Sequence, residues 1–149
     1  LLLVLTVILG VVGAGCGAAA PAPTSTPARA PEPAALTIAG AVASETRWSV
    51  ADLKAIGMVT VEMNHPKKGK QTYEGVRLKE LLGLAKLNAG AKTLTLTAKD
   101  GYTIDFAVAD VLACADCLLA IDGSGALNLA MANLDSGTWV RDLIRIEAK

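Results

Sequence analysis

The sequence predicts an α+β domain made mostly of strands with short helices, and three observations carry that expectation. Lys92–Ala98 and Tyr102–Phe106 alternate apolar with polar side chains on either side of Asp100-Gly101, the pattern of a hairpin closed by a two-residue turn former. Apolar positions recur at helical spacing only over short stretches, as at Val50, Leu53 and Ile56. The signals form neither a regular strand-helix-strand series nor a fixed-period repeat, which favours α+β over α/β.

Taken in order, the chain begins with an address. Leu1 to Gly15 has Thr6 as its only polar side chain, and Cys16 follows with Gly17 and Ala18 to Ala20 behind it. This reads as the apolar region of a secretory signal ending in small residues, entered part-way because neither Met nor a basic start precedes it. Val12-Gly13-Ala14-Gly15-Cys16 resembles the lipobox of bacterial lipoproteins, which implies lipidation at Cys16, although Gly13 stands where such boxes usually have Leu. An uncleaved membrane anchor or an ordinary cleaved signal would also fit, since Leu1 to Ala20 matches the roughly 20 residues that cross a bilayer. Residues 17–35 form a Pro/Ala-rich linker, with five of the six prolines of the chain between positions 21 and 35. Such a segment has nothing to bury and favours extended conformations.

The folded domain is expected over residues 36–149. Leu36–Val42 alternates as a strand, and Ser49 caps a helix over Val50–Ile56 with Asp52 three residues on. Met58–Met63 is a β-branched, alternating strand that His65-Pro66 stops. Lys67–Lys70 makes a basic turn into Gln71–Gly75. Val76, Leu78, Leu81, Leu82, Leu84 and Ala85 then carry a helical stripe. After the hairpin, Val108–Cys114 gives one or two helical turns, Cys117–Ile121 an apolar strand, Asp122–Gly125 a turn into Ala126–Met131, and Trp139–Glu147 a closing strand.

Composition excludes several functions. With 14 basic and 14 acidic side chains the net charge is zero, and the chain has only two Trp, two Tyr and one Phe. There is little electrostatic drive toward nucleic acid and no stacking platform for bases. One His and three Cys are too few for an ordinary closed zinc module. Asp100, Asp105 and Asp110 recur at a spacing that does not match a calcium loop.

The succession of motifs resembles the molybdopterin-binding domain of the sulfite-oxidase family of oxidoreductases. The matching residues are LTIAGAV (36–42), SVADLKAI (49–56), YEGVRLKELLGLA (73–85), KDGYTIDFAVADVL (99–112), CLLAID (117–122) and TWVRDLIRIE (138–147). The resemblance implies an α+β fold that, in the family's enzymes, holds molybdenum on a pterin dithiolene and transfers an oxygen atom with two electrons. It also implies a metal-ligating cysteine just beyond the second strand. Here that stretch reads Val61-Glu-Met-Asn-His65, without Cys, and neither a thioether nor Asn64 or His65 replaces an anionic sulfur on high-valent molybdenum. Where family enzymes place an Arg and then a Pro, this chain has Asn128–Ala132.

Local features add candidates. Cys114 and Cys117 are close enough to form a disulfide in an oxidising compartment. A redox-active pair would want its first Cys at a helix N-terminus, whereas Cys114 follows a helical turn; a metal-bound pair and two free thiols stay open as well. Leu118 after Cys117 excludes a c-type haem site. His65 with Lys67, Lys68 and Lys70 reads either as an anion or metal contact or as a solvated turn. Trp48 and Trp139 read as core anchors or pocket walls.

The expected function is therefore a membrane-tethered extracytoplasmic accessory module. Its pocket, with Asn64, His65, Lys67, Arg77 and Arg141 as candidate ligand-binding residues, would take a small anion or a loop of an envelope protein partner. No catalytic residue, metal ligand or cofactor is assigned, molybdopterin being implied by the resemblance alone. The rivals are an active molybdenum-pterin oxidoreductase with an unusual ligand near Met63–His65, and a structural component of an envelope complex.

Overall fold

The computed structural model describes residues 32–132, 134 and 136–149. The lipobox-like segment with Cys16, and the linker through residue 31, lie outside the described residues. The domain is α+β, with most of its ordered backbone in strands. No helix among the described residues is long and apolar enough to cross a membrane.

The strands form two sheets. The first, in the order β2 (Thr46–Trp48), β1 (Leu36–Gly40), β9 (Leu143–Ala148), β5 (Thr93–Ala98) and β6 (Thr103–Ala107), is antiparallel except where β1 runs parallel to β9. The second is antiparallel throughout, in the order β3 (Val59–His65), β4 (Gly69–Arg77), β7 (Leu118–Ile121) and β8 (Leu127–Ala130). Three short helices, α1 (Val50–Ile56), α2 (Leu78–Leu84) and α3 (Val108–Ala113), contribute apolar side chains to the main core.

Local chemistry explains these elements. Ser49 caps α1 through a reciprocal box: its backbone N–H donates to Asp52 Oδ2 at 2.9 Å while the Asp52 N–H donates to Ser49 Oγ at 3.2 Å. The expected hairpin forms as β5–β6, with Gly101 at φ 87° and the Tyr102 N–H donating to Asp100 Oδ1 at 2.9 Å. Leu36, Ile38, Leu94, Leu96 and Ile146 are fully inaccessible in the core of this sheet, each contributing about 1.5–3 kcal/mol of burial.

Two expectations are corrected and one element is added. Val76 and Arg77 are strand rather than helix, because β4 extends from Gly69 to Arg77, pairing with β3 through Gly75 and with β7 from Gly75 onward. Val76 faces the same core as Leu78 and so joins the apolar stripe of α2 without sharing its backbone. The closing strand begins at Leu143 rather than Trp139, since Asp142 at φ 50° breaks the extension. β2, only three residues long, was not expected from the sequence.

A candidate anion cleft on the four-stranded sheet

The register of the second sheet fixes which side chains share a face. Val59 pairs with Gly75, Val61 with Tyr73 and Met63 with Gln71, while Gly75 pairs with Ala120 and Leu118 with Ala130. Val76, Leu119, Ile121, Leu127 and Leu129 turn to the main core. Met63, Leu118, Ala120 and Ala130 form a second buried cluster on the opposite face, against which Tyr73 and Trp139 pack. Gly75 is required on that face, because a Cβ there would run into the Leu119 carbonyl oxygen and the Ala120 Cα.

A cleft of about 610 Å³ lies over this face, and its lining includes His65, Lys68, Tyr73, Asp122, Trp139 and Arg141. Trp139 follows a single 3-10 turn at Ser136–Thr138. Its indole meets the His65 ring at a centroid distance of 4.7 Å and the Tyr73 ring at 5.4 Å. The segment is held by the Leu129 N–H, which donates to the Val140 carbonyl at 2.7 Å.

The polar groups of the cleft differ in how far they are already engaged. Asp122 accepts from the Ser124 hydroxyl at 2.6 Å, the Ser124 N–H at 2.8 Å, the Ala126 N–H at 3.0 Å and Asn128 Nδ2 at 3.3 Å. Those bonds, the Ser124 hydroxyl first, hold its carboxyl below the usual carboxylate range. Lys68 and Arg141, and the Glu74 and Asp142 carboxylates that also line the cleft, have no ion pair among the described residues. Desolvation, then the charges of Lys68, Arg141 and Lys67, push the His65 pKa below its ordinary value. His65 Nδ1 accepts the Lys67 N–H at 3.0 Å, so the neutral ring carries its proton on Nε2. The buried Nε1 of Trp139 has no hydrogen-bond partner among the described residues.

Of the five candidate ligand-binding residues, His65 and Arg141 line the cleft together. Asn64 is exposed and alternates to the other face of β3, Lys67 contributes its backbone N–H to His65, and Arg77 sits at the end of β4 with a buried, unpartnered Nε. Lys68, Tyr73 and Trp139 join them as walls. The tight turn after His65 decides between Lys67 and Lys68, and residue type alone carries no signal of that choice.

Cys114 and Cys117 form a disulfide with Cα atoms 5.5 Å apart. Both pack with the main core and neither lines the cleft. Met63, within the Val61–His65 stretch where the family resemblance expects a thiolate, is buried in the second apolar cluster. Among the described residues no three His, Cys, Asp or Glu side chains converge as a metal site. The donors at the cleft therefore do not fit a metal ligated by protein sulfur.

No family model matches the chain, and no curated protein matches it. Among solved structures it is similar to the sulfane dehydrogenase SoxCD from Paracoccus pantotrophus, with a TM-score of 0.65 and 18% sequence identity over 76% of this chain. The match spans 37% of that chain. A likeness at this identity establishes the fold, an α+β domain shared with part of a dehydrogenase.

Proposed function

We propose that the chain is a membrane-tethered extracytoplasmic binding module that takes a small oxyanion in the cleft between His65 and Arg141. The observation that carries this reading is the positive surround of His65: Lys68 and Arg141 line the cleft with it and, with Lys67, act on its ring, while Glu74, Asp122 and Asp142 line the rest of the same cleft. Asp122 is occupied by four internal hydrogen bonds, whereas Lys68 and Arg141 have no ion pair among the described residues. Nε2–H of His65 adds a neutral donor beside them. Charge-assisted donors of this kind bind oxyanions more strongly than neutral ones, and Arg offers a planar fork for two oxygens. The membrane tether is the role proposed for residues 1–16 with lipidated Cys16, residues 17–35 serving as its spacer.

Calorimetric titration of the full chain with sulfate and with phosphate tests this reading. One site is expected, with Arg141→Ala weakening binding by about tenfold, a change of about 1.4 kcal/mol. Unsaturable heats in the wild-type protein would defeat it. So would stoichiometric molybdenum and pterin in protein matured in a molybdenum-replete host.

A further inference from the structure

Two residues at the end of α2 run against local preference. Gly83 lies inside the helix, where glycine is the least favourable residue short of proline. Its backbone needs no positive φ, and a Cβ there would meet nothing within 4 Å. Three positions on, Lys86 adopts φ 52° in a Schellman turn: its N–H donates to the Gly83 carbonyl at 3.1 Å and the Leu87 N–H to the Leu82 carbonyl at 3.2 Å. That left-handed position favours glycine. A glycine thus stands where the helix would accept any other residue, and a lysine where the turn would favour glycine.

Both residues line one groove of about 320 Å³ between α2 and α3, with Leu82, Leu87 and Val108 beneath and Leu112 at 47% exposure beside it. The ionisable residues lining the groove are Lys79 and Lys86, neither of them ion-paired among the described residues.

We infer that this groove seats an acidic amphipathic segment of a partner protein, its backbone crossing α2 at Gly83. A missing Cβ lets another backbone approach closely. The apolar floor takes the partner's apolar side chains, and Lys79 and Lys86 meet carboxylates on its flanks. A flat anionic membrane would reward the lysines but has no use for a lowered wall at Gly83.

A synthetic helix with Leu on one face and Glu on its flanks, titrated against the full chain by fluorescence anisotropy, tests the proposal. Expected is saturable binding, with a Lys-for-Glu counterpart at least about tenfold weaker. Lys86→Gly relieves the left-handed strain, so it should raise the melting temperature while weakening binding about fivefold. Gly83→Trp, with circular dichroism unchanged, should abolish binding. Equal affinity for both peptides, or variants that bind like the wild type, would overturn the proposal. It is also overturned if phosphatidylglycerol vesicles, or a concentration-dependent dimer of the chain, show the Gly83→Trp sensitivity in place of the acidic peptide.

Discussion

The imidazole of His65 leans on the indole of Trp139, the two planes inclined at 57°. One ring leaves the end of β3 and the other arrives after β8, so this contact joins two distant parts of the chain across the cleft face. Replacing Trp139 with Ala should cost about 2–3 kcal/mol in urea denaturation, below the range for a fully buried Trp because this one is half-buried. The His65 midpoint should rise toward its ordinary value in the same variant, since desolvation is the leading cause of its depression. A midpoint unmoved in proton NMR would mean that the indole does not desolvate the ring.

His65 also sets a pH dependence. Its folded pKa lies below the unfolded value, so on acidification the unfolded chain takes up the proton first. Stability from this group is flat above about pH 6.5 and declines below it, toward the folded midpoint. An anion in the cleft favours the charged ring, so phosphate should move the midpoint upward. His65→Gln should remove the decline from denaturation curves measured between pH 7 and 5.

Reduction of Cys114–Cys117 opens no large loop and should therefore have a limited effect. The chain-entropy relation for so short a loop gives about 2 kcal/mol of stabilisation. The double Cys114→Ser, Cys117→Ser variant should lose about that much in guanidinium unfolding while retaining oxyanion binding, since neither cysteine lines the cleft. Loss of binding in a folded double variant would tie the disulfide to the site.

Gly75→Ala is expected to destabilise by about 1–3 kcal/mol or more, because the added methyl meets backbone of β7 rather than a movable side chain. The midpoint of urea unfolding reads this directly. A neutral result would show that β4 and β7 can separate locally.

Elements with one buried face and one wet face were readable from sequence. β5 and β6 alternate strictly around Asp100-Gly101, and Ser49 with Asp52 marks the start of α1. The departures share a cause: an apolar stripe reports which core a residue faces, not the backbone that delivers it. Val76 lies one residue before the end of a strand and Leu78 opens a helix, yet both point inward, so they merge into one helical pattern. Trp139 and Val140 continue the alternation of β9 backwards, and only the positive φ at Asp142 separates them. At the cleft, His65 and Arg141 were legible as charges near strand ends. The choice of Lys68 over Lys67, and the arrival of Trp139 on Tyr73, depend on turn geometry and long-range packing that no local pattern encodes.

The parallel pairing of β1 with β9 has a kinetic consequence. Thr37 faces Arg145 and Gly40 faces Ala148, so the opening strand of the domain stays half-paired until its final residues are available. β5 waits for the same strand on its other side. A nascent chain halted before Leu143 therefore lacks the centre of its first sheet, which closes only when the last strand of the domain arrives, whereas the second sheet needs nothing beyond Ala130.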